Sequence, residues 1–146
     1  MAERTRASAV IEAPPEQVMA VIADLTAYPE WVDSMAAVEV LTTSADGRPD
    51  LVRMSLRHPL ISESYTVRYS WAEDEVSWHL VEGEKLTAMD GSYQLRPRGA
   101  GTEVTYSLSV DLTLPLLGML RRKAEKTIVD GALKGLGRRV ASKSGS

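Results

Sequence analysis

The feature that most constrains this chain is a region from about residue 36 to residue 114 in which apolar and polar side chains alternate. Alternation with a period of two is typical of β-strands that bury one face. Six such segments follow one another: AAVEVLTT, DLVRMSLRH, SESYTVRYSWA, EVSWHLVE, KLTAMDGSYQLRP and TEVTYSLSVDLTL. Short turns such as SADGRP, AEDE and RGAG join them, so we predict antiparallel hairpins in chain order.

Helical patterns flank this region on both sides. A first strand is predicted over residues 3–12, followed by APPEQVMAVIADL, whose apolar residues have the spacing of a short amphipathic helix. The next segment, YPEWV, predicts a tight turn or a second helical turn. After Pro115, apolar residues recur every three or four positions, which predicts a helix over about 116–141.

Two glycines lie four residues apart inside the predicted C-terminal helix, at Gly131 and Gly135. Each is less favourable than alanine in a helix interior by about 1 kcal/mol. Two explanations are compatible with the sequence: the helix approaches another backbone closely there, or it leaves a hollow beside a bound molecule.

The charge distribution is uneven along the chain. Residues 116–146 carry a balance of +6, whereas the first 115 residues carry −9. The simplest interpretation is a solvated basic helix face on an acidic body, and the alternative is a basic surface that contacts an anionic membrane transiently or binds an acidic partner. We expect no nucleic acid partner, because the remaining surface would repel phosphate. The oligomeric state is not predicted.

The absence of cysteine excludes disulfides, thiolate nucleophiles and cysteine-ligated zinc. The first ten residues, MAERTRASAV, carry charge where a signal peptide would have an apolar run. Both observations favour a reducing, cytoplasmic compartment.

The order of one strand, two short helices, six strands and a long helix resembles the START-like or Bet v 1-like superfamily, also called SRPBCC or the polyketide cyclase/dehydrase and coenzyme Q-binding-like group. IEAPPEQVMAVIADLTAYPEWVDSM is similar to the family's first strand, helix pair and tryptophan-bearing turn. DGSYQLRPRGAGTEVTYSLSVDLTLP is similar to its final hairpin.

The resemblance implies an α+β helix-grip fold, in which a curved seven-stranded antiparallel sheet wraps around a long C-terminal helix, with two short helices after the first strand. It extends over nearly the whole chain, and we expect one domain over residues 1–146. The family includes lipid carriers, coenzyme Q-binding proteins, plant hormone receptors and aromatase/cyclases, so the fold alone does not select a function.

A sheet that curves around a helix encloses a cavity unless its own side chains fill the space. Alternation places residues rich in methionine, tyrosine and tryptophan on the inner face, opposite small residues of the helix. The predicted ligand-binding residues are Trp31, Met54, Leu56, His58, Tyr65, Tyr69, Trp71, Trp78, Met89, Tyr93, Tyr106, Leu108, Ile128, Gly131, Ala132 and Gly135. The sequence leaves open whether Trp71 or Trp78 fills the cavity.

The aromatic turn DLTAYPEWVDSM is expected at the mouth of this cavity. The predicted rim consists of Tyr28, Pro29, Trp31, Leu116 and Leu117. In the alternative interpretation, Trp31 plugs one end of the sheet as part of a small core.

The predicted inner face carries no carboxylate, lysine or arginine, so acid or base chemistry depends on His58 or the tyrosines. His58 precedes a proline at a strand end, where a structural histidine is the alternative. The two histidines are isolated, so we predict no metal site. The sequence contains no phosphate loop and no dinucleotide fingerprint, so we predict no cofactor.

We therefore predict binding or carriage of a hydrophobic or amphipathic small molecule, such as a lipid, a quinone or a polyketide-like compound, without catalysis. The alternatives are an enzyme of the aromatase/cyclase kind, with His58 as its catalytic candidate, and a protein-interaction module whose core is filled by its own side chains.

Overall fold

The structure is a computed structural model that describes residues 4–59, 62–113 and 118–144. The elements in chain order are β1 Thr5–Ile11, α1 Pro15–Ala23, a 3-10 helix Leu25–Glu30, β2 Met35–Thr43, β3 Pro49–Arg57, β4 Ser62–Trp71, β5 Glu75–Glu82, β6 Leu86–Arg98, β7 Gly101–Leu112 and α2 Gly118–Ser144. The two short helices after the first strand and the long C-terminal helix are confirmed, although α2 extends three residues beyond the predicted end.

The seven strands form one antiparallel sheet in the order β1-β7-β6-β5-β4-β3-β2. Strands β2 to β7 are joined as hairpins in chain order, as the short turns predicted. The first strand pairs with the last, with Thr5 opposite Leu108 and Ile11 opposite Thr102. Register shifts in the β2–β3, β4–β5 and β6–β7 pairs increase the local twist, which helps to curve the sheet.

Helix α2 packs against the concave face of the sheet, giving the helix-grip fold that the resemblance implied. Its buried side is a stripe of small and branched apolar residues: Ala124, Ile128, Val129, Ala132, Leu133, Leu136 and Val140. Within the described ranges, no helix is both long and apolar enough to cross a membrane.

Glu125 ties α2 to two strands of the sheet. Its carboxylate is fully buried and accepts hydrogen bonds from the Thr5 hydroxyl at 2.7 Å and from the Val110 amide at 2.8 Å. Each carboxylate oxygen thus has a donor, as a buried ionisable group requires. This anchor helps to set the position of α2 across the sheet.

The aromatic turn adopts the 3-10 helix, with Pro29 inside it. The Tyr28 hydroxyl donates a hydrogen bond to the carbonyl of Ile22 in α1. Tyr28 and Trp31 also pack edge to face, with ring centroids 4.9 Å apart. The 3-10 helix is therefore held against α1 by side chains that are themselves buried.

Candidate functional site

A small cavity of about 40 Å³ lies between the concave face of the sheet and α2. Most of the predicted ligand-binding residues line it: Met54, Leu56, Tyr65, Tyr69, Trp78, Met89, Tyr93, Tyr106, Leu108, Ile128 and Ala132. We call this space the central cavity. Its volume is close to that of a single water molecule, because large side chains occupy most of the interior.

An aromatic cluster makes up one wall of the central cavity, with Trp78 at its centre. The ring of Trp78 lies 5.5 Å from that of Tyr69, 5.6 Å from that of Tyr93 and 5.7 Å from that of Tyr106. Its indole covers Gly91, where a Cβ atom would overlap the ring. Of the two candidates for filling the cavity, Trp78 is therefore the one that occupies it.

All five tyrosines of the chain are buried, and all of them line the central cavity: Tyr28, Tyr65, Tyr69, Tyr93 and Tyr106. Burial raises the pKa of each phenol above its ordinary value, and neighbouring phenols raise the pKa of several of them further. The hydroxyls therefore stay protonated at neutral pH and act as hydrogen-bond donors, not as bases.

These hydroxyls differ in their partners. The Tyr28 hydroxyl donates to a backbone carbonyl, and the Tyr65 hydroxyl lies 3.8 Å from the sulfur of Met54, which is a weak acceptor. Within the described residues, the hydroxyls of Tyr69, Tyr93 and Tyr106 have no hydrogen-bond partner. These three hydroxyls are therefore available to water or to the oxygen atoms of a ligand.

A surface groove of about 240 Å³ adjoins the central cavity. The two share Val32, Ser34, Ile128 and Ala132, so the groove leads from the surface to the cavity wall. Among the predicted rim residues that lie within the described ranges, none lines this groove. The groove therefore lies at the C-terminal end of the aromatic turn, at Val32 to Ser34.

The predicted rim residues are distributed differently from the expectation. Tyr28 is buried in the cavity wall, Pro29 is exposed, and Trp31 is buried and lines a separate groove between α1 and α2. Tyr28 and Trp31 thus lie in the walls of two different spaces, and the groove that adjoins the central cavity is lined by the last residues of the aromatic turn. Leu116 and Leu117 lie outside the described residues.

His58 lines the groove at the opening and not the central cavity. It is half-buried, and partial desolvation lowers the pKa of its imidazole. Its amide donates to the Ser62 hydroxyl at 3.3 Å, and that hydroxyl donates to the His58 carbonyl at 2.9 Å. The backbone of His58 thus has a structural role, while its side chain lies where a ligand would pass.

Trp71 lies outside the central cavity. Its ring stacks on Tyr69 at 5.5 Å, its indole nitrogen donates to the carbonyl of Pro49 at 2.7 Å, and the Arg48 guanidinium lies 5.2 Å from its ring. Alternation placed Trp71 on the inner face, but these contacts hold it near the end of the sheet.

The two helix glycines have different surroundings. A Cβ atom at Gly135 would overlap the backbone carbonyl of Trp31, whereas one at Gly131 would meet no atom within 4 Å. Gly135 therefore permits close contact between α2 and the aromatic turn, and it does not line the central cavity. Gly131 lines the groove at the opening.

Sequence reasoning missed Val32, Ser34 and Met35 as wall residues. They lie where the aromatic turn joins β2, and alternation is informative only inside a strand. Their position directly after a cluster of aromatic residues is the signal that could have suggested them.

The lining of the central cavity is largely apolar and aromatic. Its described residues include no carboxylate, lysine, arginine or histidine, and their polar side-chain groups are the tyrosine hydroxyls, the Ser34 hydroxyl and the Trp78 indole. No group of three potential metal ligands occurs in residues 4–59, 62–113 and 118–144. The arrangement offers apolar and aromatic contact, together with hydrogen bonds donated to oxygen atoms.

Comparison with solved structures supports the same fold. A START superfamily protein from Mycobacterium smegmatis is 23% identical, with a TM-score of 0.89, and the match covers 95% of this chain and 97% of that one. A protein from Thermus thermophilus is 26% identical, with a TM-score of 0.82 and coverage of 97% of this chain and 99% of that one.

The Zhui aromatase/cyclase from a Streptomyces species is 15% identical, with a TM-score of 0.73 and coverage of 98% of this chain and 93% of that one. At this identity the likeness shows the fold alone. Among curated protein sequences, none matches the chain significantly.

The family model described as polyketide cyclase / dehydrase and lipid transport matches residues 11–136, which include the sheet from β2 to β7 and most of α2. The chain therefore belongs to the polyketide cyclase / dehydrase and lipid transport family.

Proposed function

We propose that the protein binds a hydrophobic or amphipathic small molecule in the central cavity, without catalysis of its own. The observation that carries this proposal is the aromatic wall with three buried tyrosines, Tyr69, Tyr93 and Tyr106, whose hydroxyls have no acceptor among the described residues. Stacked rings favour a planar ligand, and protonated phenols favour one with oxygen acceptors. A quinone or a polyketide-like compound meets both requirements better than a saturated lipid does.

A ligand of this kind needs more space than the present cavity provides. Small-molecule pockets are typically about 300–1,000 Å³ in volume, compared with about 40 Å³ here. Three methionines, Met35, Met54 and Met89, belong to the wall, and their flexible side chains can repack at low energy. We infer that the ligand enters through the groove beside His58 and displaces these side chains.

The family and the relatives support a small-molecule role. The family description names polyketide cyclases, dehydrases and lipid transport, and one protein of the same fold is an aromatase/cyclase. A cyclase-like reaction in this chain would depend on phenols as proton donors and on His58, which lies at the opening. Loss of turnover in His58→Ala with unchanged ligand affinity would establish that alternative.

The small volume favours a second candidate function, a protein-interaction module whose core is complete without a ligand. The two functions predict different effects of substitutions in the cavity. If the core is filled, a substitution changes only the stability of the protein. If the cavity is a binding site, the same substitution also changes the affinity for the ligand.

We also propose that the basic face of α2 contacts anionic membranes transiently while a ligand is exchanged. Arg122, Lys123, Lys134 and Arg138 are exposed on α2, and at its start the side chain of Met119 is 82% exposed and that of Leu120 40% exposed. Exposed apolar groups beside several cations are suited to a negatively charged lipid surface. Sedimentation with phosphatidylserine vesicles, but not with phosphatidylcholine vesicles, would test this contact.

The first experiment is native mass spectrometry of the freshly purified protein, followed by titration calorimetry with 1,4-naphthoquinone as the probe. The double variant Tyr93→Phe and Tyr106→Phe keeps both rings and removes two donors, so we expect about tenfold weaker binding. Ala132→Leu, which fills the cavity from α2, should also weaken binding.

The matched control is Ala141→Leu, which adds the same side chain at an exposed position of α2. It should leave naphthoquinone affinity unchanged. If the wild-type protein carries no ligand and binds no probe, the filled-core module becomes the better explanation. If Ala132→Leu folds and binds as well as the wild type, the ligand does not occupy the central cavity.

A further inference from the structure

A second and larger space, of about 370 Å³, lies between α1 and the C-terminal part of α2. Its floor is apolar and is formed by the buried side chains of Val21, Trp31 and Val140. We call it the helix groove. It shares no lining residue with the central cavity, and its volume falls within the range of small-molecule pockets.

Trp31 lines the helix groove with a buried side chain. The side chain is 7% exposed, and its indole nitrogen has no hydrogen-bond acceptor within the described residues. Close contact of the Trp31 backbone with Gly135 limits how far the residue can move to find one. The ring of Trp31 therefore has a fixed place in the floor of the helix groove, where it can report binding.

The rims of the helix groove carry opposite charges. Arg139 and Lys143 lie on the α2 rim, and Asp24 lies on the α1 rim. Arg139 pairs with Glu30 at 3.1 Å, but the Glu30 side chain is 62% exposed, and such pairs are weak. The guanidinium has five N–H donors, so it can bind a further anion while it keeps this pair.

We propose that the helix groove binds an amphipathic carboxylate, such as a free medium-chain fatty acid, as a site separate from the central cavity. The alkyl chain covers the apolar floor of Val21, Trp31 and Val140. The carboxylate lies toward the α2 rim, where Arg139 and Lys143 supply positive charge.

The test uses decanoate below its micelle concentration, with decanol as the uncharged probe of equal chain length. Each of the three tryptophans gives one indole N–H signal in a nitrogen–proton correlation spectrum, and Trp31→Phe identifies the signal of Trp31. We expect decanoate to move the Trp31 signal and to bind about tenfold more tightly than decanol. Movement of the Trp78 signal alone would place decanoate in the central cavity and overturn the proposal.

Charge variants provide matched controls. Arg139→Gln should weaken decanoate binding about tenfold, because the guanidinium is lost. Glu30→Gln breaks the same ion pair but leaves the guanidinium, so decanoate affinity should stay the same or increase. Asp24→Asn should strengthen binding about twofold, because it removes a negative charge from the opposite rim.

Equal weakening by Arg139→Gln and Glu30→Gln would show that the ion pair merely holds the structure, and it would overturn the proposal. Equal affinities for decanoate and decanol would overturn the anionic selectivity. Naphthoquinone binding to the central cavity should be unchanged in all three charge variants, so this test and that of the proposed function can fail separately.

Discussion

The central cavity and the helix groove lie on either side of the aromatic turn, and they contrast in nearly every property. The cavity is small, enclosed by aromatic rings and supplied with phenol donors, whereas the groove is larger, apolar at its floor and charged at its rims. Tyr28 lines the first and Trp31 lines the second, although only two residues separate them. One short 3-10 helix therefore divides the interior into two different environments.

This contrast shows how burial determines the chemistry of a side chain. Phenols inside the cavity are kept protonated by desolvation, which raises the pKa of each, so they serve only as donors. The cations at the groove rims stay partly solvated, as the exposure of the Arg139 side chain shows. Under the two proposals above, the cavity takes neutral, oxygen-bearing ligands and the groove takes anionic ones.

The largest expected effect is alkaline unfolding driven by the cavity tyrosines. Their pKa values are raised in the folded state, so each contributes stability that is full below about pH 10 and decreases as the pH rises further. Each buried tyrosine should lower the free energy of unfolding by about 1.4 kcal/mol per pH unit above pH 10.

Urea unfolding at a series of pH values would measure this slope. Tyr93→Phe should make the slope smaller by the contribution of one tyrosine. Tyrosinate absorbance should appear together with unfolding. Its appearance at pH 10 in protein that is still folded would contradict the burial of the phenols in solution.

The next largest effect is the difference in stability between alanine substitutions at the two helix glycines. Gly135→Ala should destabilise the protein by about 3 kcal/mol, because the new Cβ overlaps the Trp31 carbonyl and α2 must move away from the aromatic turn. Gly131→Ala should instead stabilise it by about 0.5–1 kcal/mol, because the site is open and alanine favours the helix. Equal changes in the two variants, measured by chemical denaturation, would count against the close contact at Gly135.

The smallest effect is the difference in stability between substitutions of Trp78 in the central cavity and Trp31 in the helix groove. Trp78→Phe should lower the free energy of unfolding by about 2 kcal/mol, because it opens a gap among three tyrosine rings. Trp31→Phe should lower it by less than about 1 kcal/mol, because the loss of packing is offset by removal of an unpaired donor. A larger loss at Trp31 than at Trp78, again by chemical denaturation, would indicate that the Trp31 indole is satisfied in solution.

Much of the central cavity could be predicted from the sequence. In a regular strand every second side chain faces the core, so Met54, Tyr69, Trp78 and Tyr93 were assigned to the inner face correctly. Trp71 shared the same alternation but lies outside the cavity, because alternation identifies a face and not a position along it. The groove beside the cavity was not predicted at its actual residues for a related reason. Val32 and Ser34 lie in a loop, where side chains do not alternate as they do in a strand.

The seven strands, their hairpin order and the long helix follow from local features of the sequence: alternation, helical spacing and short turns. The fullness of the cavity, the contact of Gly135 with the Trp31 carbonyl and the helix groove between α1 and α2 become visible only in the folded molecule. These features depend on the distance between elements far apart in the chain. That distance is set by the packing of all the side chains together, which no single segment specifies.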